Sequence, residues 1–331
     1  MKKTLSFALP IGIAAFFLWF TYSRDSGFNP QQMWSDAQTA NLIPIFLTLI
    51  STMIAHFARA LRWNLLFQPL GYNPSAANGF LAVMSGYFGS LIIPRAGEVT
   101  RCTALLTSEN IPLQTSLGSV IAERGIDLVV FGMLTLAAFG LEYNTLTHFI
   151  TDFQAKNGMV STEGSNTKYI VIGIGLTLAL ILFLLRKTLI EFPLIAKIFE
   201  FATGLLDGLL SVTKLQKPIS FIIYTIIIWT CYLMTTYISL SIFNFTPDLG
   251  FKAAFLLLII GSFGIILPVP SAVGGPFQAF VSAALVFLYS KDNKLAIIAA
   301  TTMYYSQQIF TLIIGGICYL ISVFLANKKI V

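Results

Sequence analysis

The sequence predicts an all-α polytopic membrane protein made of two inverted repeats, each with about three spanning helices and one reentrant pair of half-helices. Three observations carry this reading. The composition is far too apolar for a soluble domain: 56% hydrophobic and only 10% charged, with a mean hydropathy of +0.81 over 331 residues, whereas soluble domains carry about a quarter charged residues. One pattern occurs twice, as Gly86-Tyr87-Phe88-Gly89 followed by Pro94 and Gly97, and as Gly261-Ser262-Phe263-Gly264 followed by Pro268, Pro270 and Gly274-Gly275. The basic residues, finally, sort to one side only if the second repeat is turned over relative to the first.

Apolar stretches of spanning length, about 20 residues at 1.5 Å each, fall near 6–22, 43–67, 114–140, 169–186, 219–243 and 296–325. Lys2 and Lys3 ahead of the first resemble a signal peptide, but no small-x-small cleavage site follows, so it is expected as a retained helix. Two further regions are split by Gly and Pro, giving 78–93 with 98–109 and 253–267 with 276–290. Pieces this short suit half-helices that enter and leave on one side. Each half then contributes an odd number of crossings, which inverts the second copy. If both pairs crossed fully, the halves would run parallel and Arg95 and Arg101 would face outside.

With the N-terminus cytoplasmic, Lys2, Lys3, Arg59, Arg62, Arg186, Lys187, Lys197, Lys214, Lys217, Lys328 and Lys329 fall inside. Arg24, Lys156, Lys168, Lys252, Lys291 and Lys294 fall outside, among seven acids. That bias follows the positive-inside rule and puts both termini in the cytoplasm, in a cell membrane. It also explains the net charge of +6 without nucleic acid, because the basic residues form no run. The whole of 1–331 reads as one transmembrane domain: repeat one about 1–140, an outer polar loop 141–168, and repeat two about 165–331. Within the second repeat, 188–217 reads as an amphipathic segment along the inner surface.

Paired, glycine- and proline-broken apolar segments in corresponding places of two halves point to a transporter's substrate site, because irregular backbone survives in a bilayer only around a cavity. Gly86, Gly89, Pro94, Gly97, Gly261, Gly264, Pro268, Pro270, Gly274 and Gly275 are the expected hinge positions. Around the first break gather Arg95, Glu98, Arg101, Glu123, Arg124 and Asp127, with Arg59 and Arg62 at the inner end of the second span. An ionised group at the bilayer centre costs at least roughly 2.5–3.5 kcal/mol, so these groups must pair or face water. Glu98 and Arg101 are three apart, as are Arg124 and Asp127, and Glu123 and Asp127 are four apart, so each set shares a helix face. Five arginines against three acids leave a guanidinium surplus, suited to a phosphate gripped by two parallel hydrogen bonds.

Plainer readings stand beside this one. Arg59 and Arg62 also fit headgroup anchors that snorkel beside Trp63, and Glu123, Arg124 and Asp127 a structural salt-bridge knot. The second break carries no charge, only Ser271, Gln278 and free backbone. His56 and His148 are isolated and the three cysteines are scattered, so neither metal nor cofactor is expected. Ser119 and Ser271 lack the partners of a nucleophile, and no P-loop is present.

At these residues the chain resembles the transmembrane domain of bacterial lysylphosphatidylglycerol synthase/flippases and their stand-alone relatives. The resemblance rests on Arg59-x-x-Arg62-Trp63, the Pro94-Arg95-x-Gly97-Glu98-x-x-Arg101 core, Glu123-Arg124-x-x-Asp127, and the late Pro-x-Pro with Gly-Gly. It implies a lipid-translocating fold with phospholipid or polyprenyl-linked substrates. Gln278 stands where a carboxylate is often expected, and no stretch of 1–331 is expected to form the aminoacyl-transferase domain of the bifunctional members, so an aminoacylated lipid is not implied. The expected activity is lipid transport by a flippase or scramblase, not catalysis. Arg95, Arg101 and Arg124 would bind the phosphate, and Glu98 and Asp127 would hold them. The expected partners are an anionic lipid and the membrane, with a homo-oligomer or a lipid-modifying enzyme as further partners. A membrane-embedded lipid transferase and a non-transporting partner subunit are the alternatives.

Overall fold

The computed structural model describes residues 2–23, 31, 35, 38–93, 96–156, 215–243, 246, 249–267, 269 and 272–330. Pro94, Arg95, Pro268 and Pro270 lie outside the described residues, as do the expected span at 169–186 and residues 188–214 of the inner segment.

Ten α-helices make up the described residues: α1 (Lys2–Ser23), α2 (Leu42–Leu65), α3 (Ala76–Ile92), α4 (Ala96–Glu109), α5 (Leu113–Leu141), α6 (Tyr143–Lys156), α7 (Pro218–Ser239), α8 (Phe251–Ile266), α9 (Pro276–Phe287) and α10 (Asn293–Ile330). Among the described residues four stretches are long and apolar enough to cross a membrane: Leu42–Leu70, Leu113–Leu141, Pro218–Ser239 and Asn293–Leu325. The chain is a multi-pass helical membrane protein. Local signals set several boundaries. Asn41 caps α2 by accepting from the Ile43 N–H (3.0 Å) and Ser75 caps α3 by accepting from the Asn78 N–H (3.2 Å), while Pro218 and Pro276 open α7 and α9, where no N–H partner is needed. In the stretch read as an outer polar loop, residues 143–156 are helical.

α2 is amphipathic in the sense opposite to a soluble helix. Leu42, Ile43, Phe46, Leu47, Ile50, Ile54 and Phe57 are exposed, whereas Thr48, Ser51, Thr52, His56, Arg59 and Arg62 are buried. Hydrocarbon rewards the apolar face, and neighbouring helices satisfy the polar one. Ser51 donates to the Cys231 carbonyl of α7 (2.9 Å), and Gln307 of α10 donates to Thr48 (2.9 Å) and accepts from Thr52.

The same neighbour relations recur in the two halves. α3 packs on α4 and α8 on α9; α4 meets α5 and α9 meets α10; α2 meets α3 and α7 meets α8; α3 lies on α10 and α8 on α5; α2 and α7 lie against each other. Gly86 and Gly89 lie inside α3 and Gly261 and Gly264 inside α8, ahead of the breaks rather than at them. They act by close approach. A Cβ on Gly86 would stand 2.8 Å from the Gly97 carbonyl oxygen, and one on Gly264 2.7 Å from the Phe277 nitrogen. The two breaks also meet: the Ala272 N–H donates to the Leu91 carbonyl at 3.3 Å.

Candidate functional site

Three helices bring the charges together. Arg59 and Arg62 lie one turn apart on the buried face of α2, Arg101 lies on α4, and Glu123 and Asp127 lie one turn apart on α5. Arg59 Nη1 bonds Glu123 Oε1 (2.9 Å) and Asp127 Oδ2 (3.0 Å). Arg62 Nη2 lies 3.0 Å from Glu123 Oε1 and 2.8 Å from Asp127 Oδ1, and Arg101 Nη1 donates to Glu123 Oε2 at 2.8 Å. Glu123 and Arg62 are wholly buried, and Arg59 and Arg101 are 5% and 4% exposed. Arg59 and Arg62 therefore do not snorkel; the ion pairs hold them inside the helix bundle. Three guanidinium groups against two carboxylates leave this buried cluster with one excess positive charge.

The pairing differs from the one expected within single helices. Arg101 pairs with Glu123 of α5, not with Glu98 on its own helix, and Asp127 pairs with α2, not with Arg124. Glu98 and Arg124 instead pair with each other across α4 and α5, with Arg124 Nε 3.4 Å from Glu98 Oε1 and both side chains about half exposed. Spacing identifies residues that share a face, but the nearest opposite charge belongs to the neighbouring helix.

Neutral groups complete the cluster. Arg59 Nη2 donates to the Tyr232 hydroxyl (3.3 Å) and Arg62 Nη1 to the Thr225 hydroxyl (3.3 Å), both on α7. Trp63 donates to Ser119 (2.9 Å), and its ring carries the Arg101 guanidinium 4.6 Å from the centroid. Trp63 belongs to a motif visible in the sequence; Tyr232 and Thr225 come from the other half of the chain and carry no such signal. His56 packs on Tyr87 with ring centroids 4.3 Å apart.

Beside the cluster lies a cavity of about 80 Å³ lined by Arg59, Arg101, Arg124, Glu98, Tyr87 and Ser90 among others. The buried Nη2 of Arg101 finds no acceptor among the described residues. The cavity thus offers three guanidinium groups, two of which, Arg59 and Arg101, have buried N–H groups that find no acceptor among the described residues, against one half-exposed carboxylate.

The second break is neutral. Gln278 is fully buried, and its carbonyl accepts from the Gly275 N–H at 2.7 Å, capping α9. The Tyr305 hydroxyl donates to the Val273 carbonyl (2.7 Å). Gly274 and Gly275 have φ of +65° and +99°, which only glycine adopts without strain. Among the described residues no group of three or more His, Cys, Asp or Glu is placed to hold a metal ion.

The profile of the family described as the lysylphosphatidylglycerol synthase TM region matches residues 7–315. The chain belongs to this family. A UPF0104 membrane protein of Methanocaldococcus jannaschii is 31% identical to it over 108 residues, 32% of each chain. The chain thus matches about a third of that relative's length. No solved structure matches. The buried charges lie within the matched region, as do both breaks and the four long apolar stretches down to Gly315, so the family assignment covers the site as well as the spans.

Proposed function

We propose that the protein is a lipid transporter, a flippase or scramblase that carries an anionic phospholipid or polyprenyl-linked lipid between leaflets. The observation that carries this reading is the cavity beside the first break, where Arg59, Arg101 and Arg124 converge and a buried Arg101 N–H has no acceptor. An anionic phosphate supplies both the charge and the acceptor, and losing its own hydration costs less where guanidinium groups replace water. Arg95, at the break itself, joins this set in the proposal. Glu123 and Asp127 hold the arginines in place, and Glu98 occupies Arg124 until the lipid arrives.

In this reading the halves are inverted. The α3–α4 pair enters from the cytoplasm and the α8–α9 pair from outside, and both termini are cytoplasmic. The bond between Ala272 and Leu91 supports this arrangement, since reentrant pairs from opposite faces would meet at their tips near the midplane. The basic pocket then serves the cytoplasmic side and the neutral break the outer side.

The test is leaflet exchange in liposomes. The protein should speed exchange of phosphatidylglycerol or a polyprenyl phosphate more than of a zwitterionic lipid. Arg124→Gln should slow it while leaving the fold intact, because Arg124 is half exposed and outside the buried pairs; Arg95→Gln should act likewise. If the wild type moves anionic and neutral lipids equally, or moves neither with or without a pH gradient, the reading fails.

A further inference from the structure

One turn before Arg59, on the buried face of α2, stands His56, 6% exposed and with neither ring nitrogen bonded to any described residue. None of the bonds of the charge cluster involves it. We propose that His56 is a proton site linked to the arginine-lined cavity: neutral without a bound anion, it takes up one proton from solvent when an anionic phosphate binds and releases it when the anion leaves. The proposal rests on the anion-binding reading and adds a second ligand to the same site.

Two neighbours tie the ring to the cavity. On α3, Tyr87 faces it with ring centroids 4.3 Å apart, and Tyr87 lines the cavity together with Arg59, Arg101 and Arg124. On α2, Arg59 follows three residues later, and its Nε is buried and without an acceptor, as both imidazole nitrogens are without partners, among the described residues. Three unmet polar atoms within one helical turn of a membrane interior call for partners. The opposite direction is closed. One turn back, Thr52 donates to Gln307, and Gln307 donates to Thr48 at 2.9 Å, so those groups are already paired. What reaches the imidazole comes by way of the cavity.

The charge state follows from the bonds on offer. An imidazolium carries two N–H donors and needs two acceptors, and the described residues give the ring none. Nor do the helices packed on α2 present a free negative charge. α3 and α7 carry no charged residue; they present Tyr87, and Tyr232, whose hydroxyl accepts from Arg59. The α5 acids Glu123 and Asp127 are held by Arg59 Nη1. On α10 the charged residues Lys294, Lys328 and Lys329 stand at the two ends, while Tyr304 packs on Phe277 and Tyr305 bonds Val273 at the second break. With one excess positive charge already in the cluster, a second on His56 is opposed. A phosphate in the cavity cancels that excess. Proton and anion therefore each bind more tightly in the presence of the other. Falling pH strengthens anion binding, and rising pH weakens it.

The experiment titrates the full chain in detergent with dihexanoylphosphatidylglycerol, whose phosphodiester keeps a single charge across the range from about pH 5.5 to 8 where a histidine titrates. Calorimetry in buffers of different ionisation enthalpy counts the protons taken up with the lipid. The wild type should take up close to one, and its affinity should fall by up to about tenfold per pH unit, the slope of one linked proton. His56→Gln should take up none and bind with an affinity independent of pH. The ring is also read directly, because the chain has two histidines and His148→Gln, on the exposed side of α6, leaves His56 alone in a nitrogen NMR spectrum. One ring nitrogen should carry a proton without the lipid and both should carry one with it; this measurement decides the matter if His56→Gln does not fold. A ring that stays neutral with lipid bound, a ring charged without lipid, or equal proton uptake by His56→Gln would overturn the proton site while leaving the anion cavity standing. Absence of lipid binding at every pH would overturn both, so the two failures are told apart.

Discussion

Glu123 and Arg62 face each other at 3.0 Å with neither side chain reached by solvent. The Glu123 carboxylate is also shared with Arg59 and Arg101, so one acid holds three arginines on two helices. Replacing it with Gln leaves those arginines with Asp127 as the remaining buried carboxylate. A broken buried pair costs about 3–5 kcal/mol. Glu123→Gln should therefore lose most folded protein on extraction in mild detergent, and adding Arg101→Gln should restore part of it. Unchanged thermal unfolding of Glu123→Gln would show that the cluster is not what holds α2, α4 and α5 together.

Asp127 should couple to α2 and not to its helical neighbour. In a double-mutant cycle read by thermal stability, Asp127→Asn with Arg59→Gln should deviate from additivity by about 1 kcal/mol or more. Asp127→Asn with Arg124→Gln should be close to additive, because Arg124 pairs with Glu98. The reverse pattern would restore the pairing that helical spacing alone suggests.

The Glu98–Arg124 pair is long and half exposed, and such pairs contribute about 0–1 kcal/mol. Glu98→Gln should therefore leave stability unchanged. It also removes the carboxylate that competes with a bound anion, so the affinity for a short-chain phosphatidylglycerol, measured by calorimetry, should rise up to about fivefold. Weaker binding would make Glu98 a ligand contact instead of a competitor.

The legible and the hidden parts divide on physical lines. The apolar stretches gave α2, α5, α7 and α10 to within a few residues, because hydrocarbon imposes one length and one polarity on a span. Both broken pairs were legible because Gly and Pro act locally. The cluster's members were visible as charges out of place in a membrane. Their partners were not, since Arg101 reaches Glu123 only through the packing of α4 on α5. Thr225 and Tyr232 stand more than 150 residues away from the arginines they serve, and nothing in their own neighbourhood marks them. Gln278 looked like a missing acid, yet it caps a helix, a role that depends on the conformation of Gly275.

Gly275 should not tolerate a side chain. Its φ is +99°, and a Cβ there would stand 2.8 Å from the Ala14 carbonyl oxygen of α1. Gly275→Ala should lower thermal stability by about 1–3 kcal/mol and loosen α1, read as new protease cleavage within it. Gly118→Ala, in α5 with nothing within 4 Å, should be neutral or stabilising by about 0.5–1 kcal/mol. Equal effects at the two sites would remove the argument for α1 seated on the second break.

Topology can be read by thiol labelling. In a background lacking Cys102, Cys231 and Cys318, cysteines at Ala96 and Ala272 should react with an impermeant reagent from opposite faces of the membrane. Reaction of both from one face would show parallel halves and end the inverted arrangement.

The amide of Ala272 bound to the carbonyl of Leu91 makes the two breaks one latch. Withdrawing either half-helix pair ruptures the same bond, worth about 1 kcal/mol, whichever side moves first. A latch of equal strength toward both leaflets sets no direction. In the transport reading proposed above, a net flow of lipid would draw its bias from unequal lipid pools or from the basic and neutral ends of the path, and the amide proton of Ala272 would exchange in step with every opening.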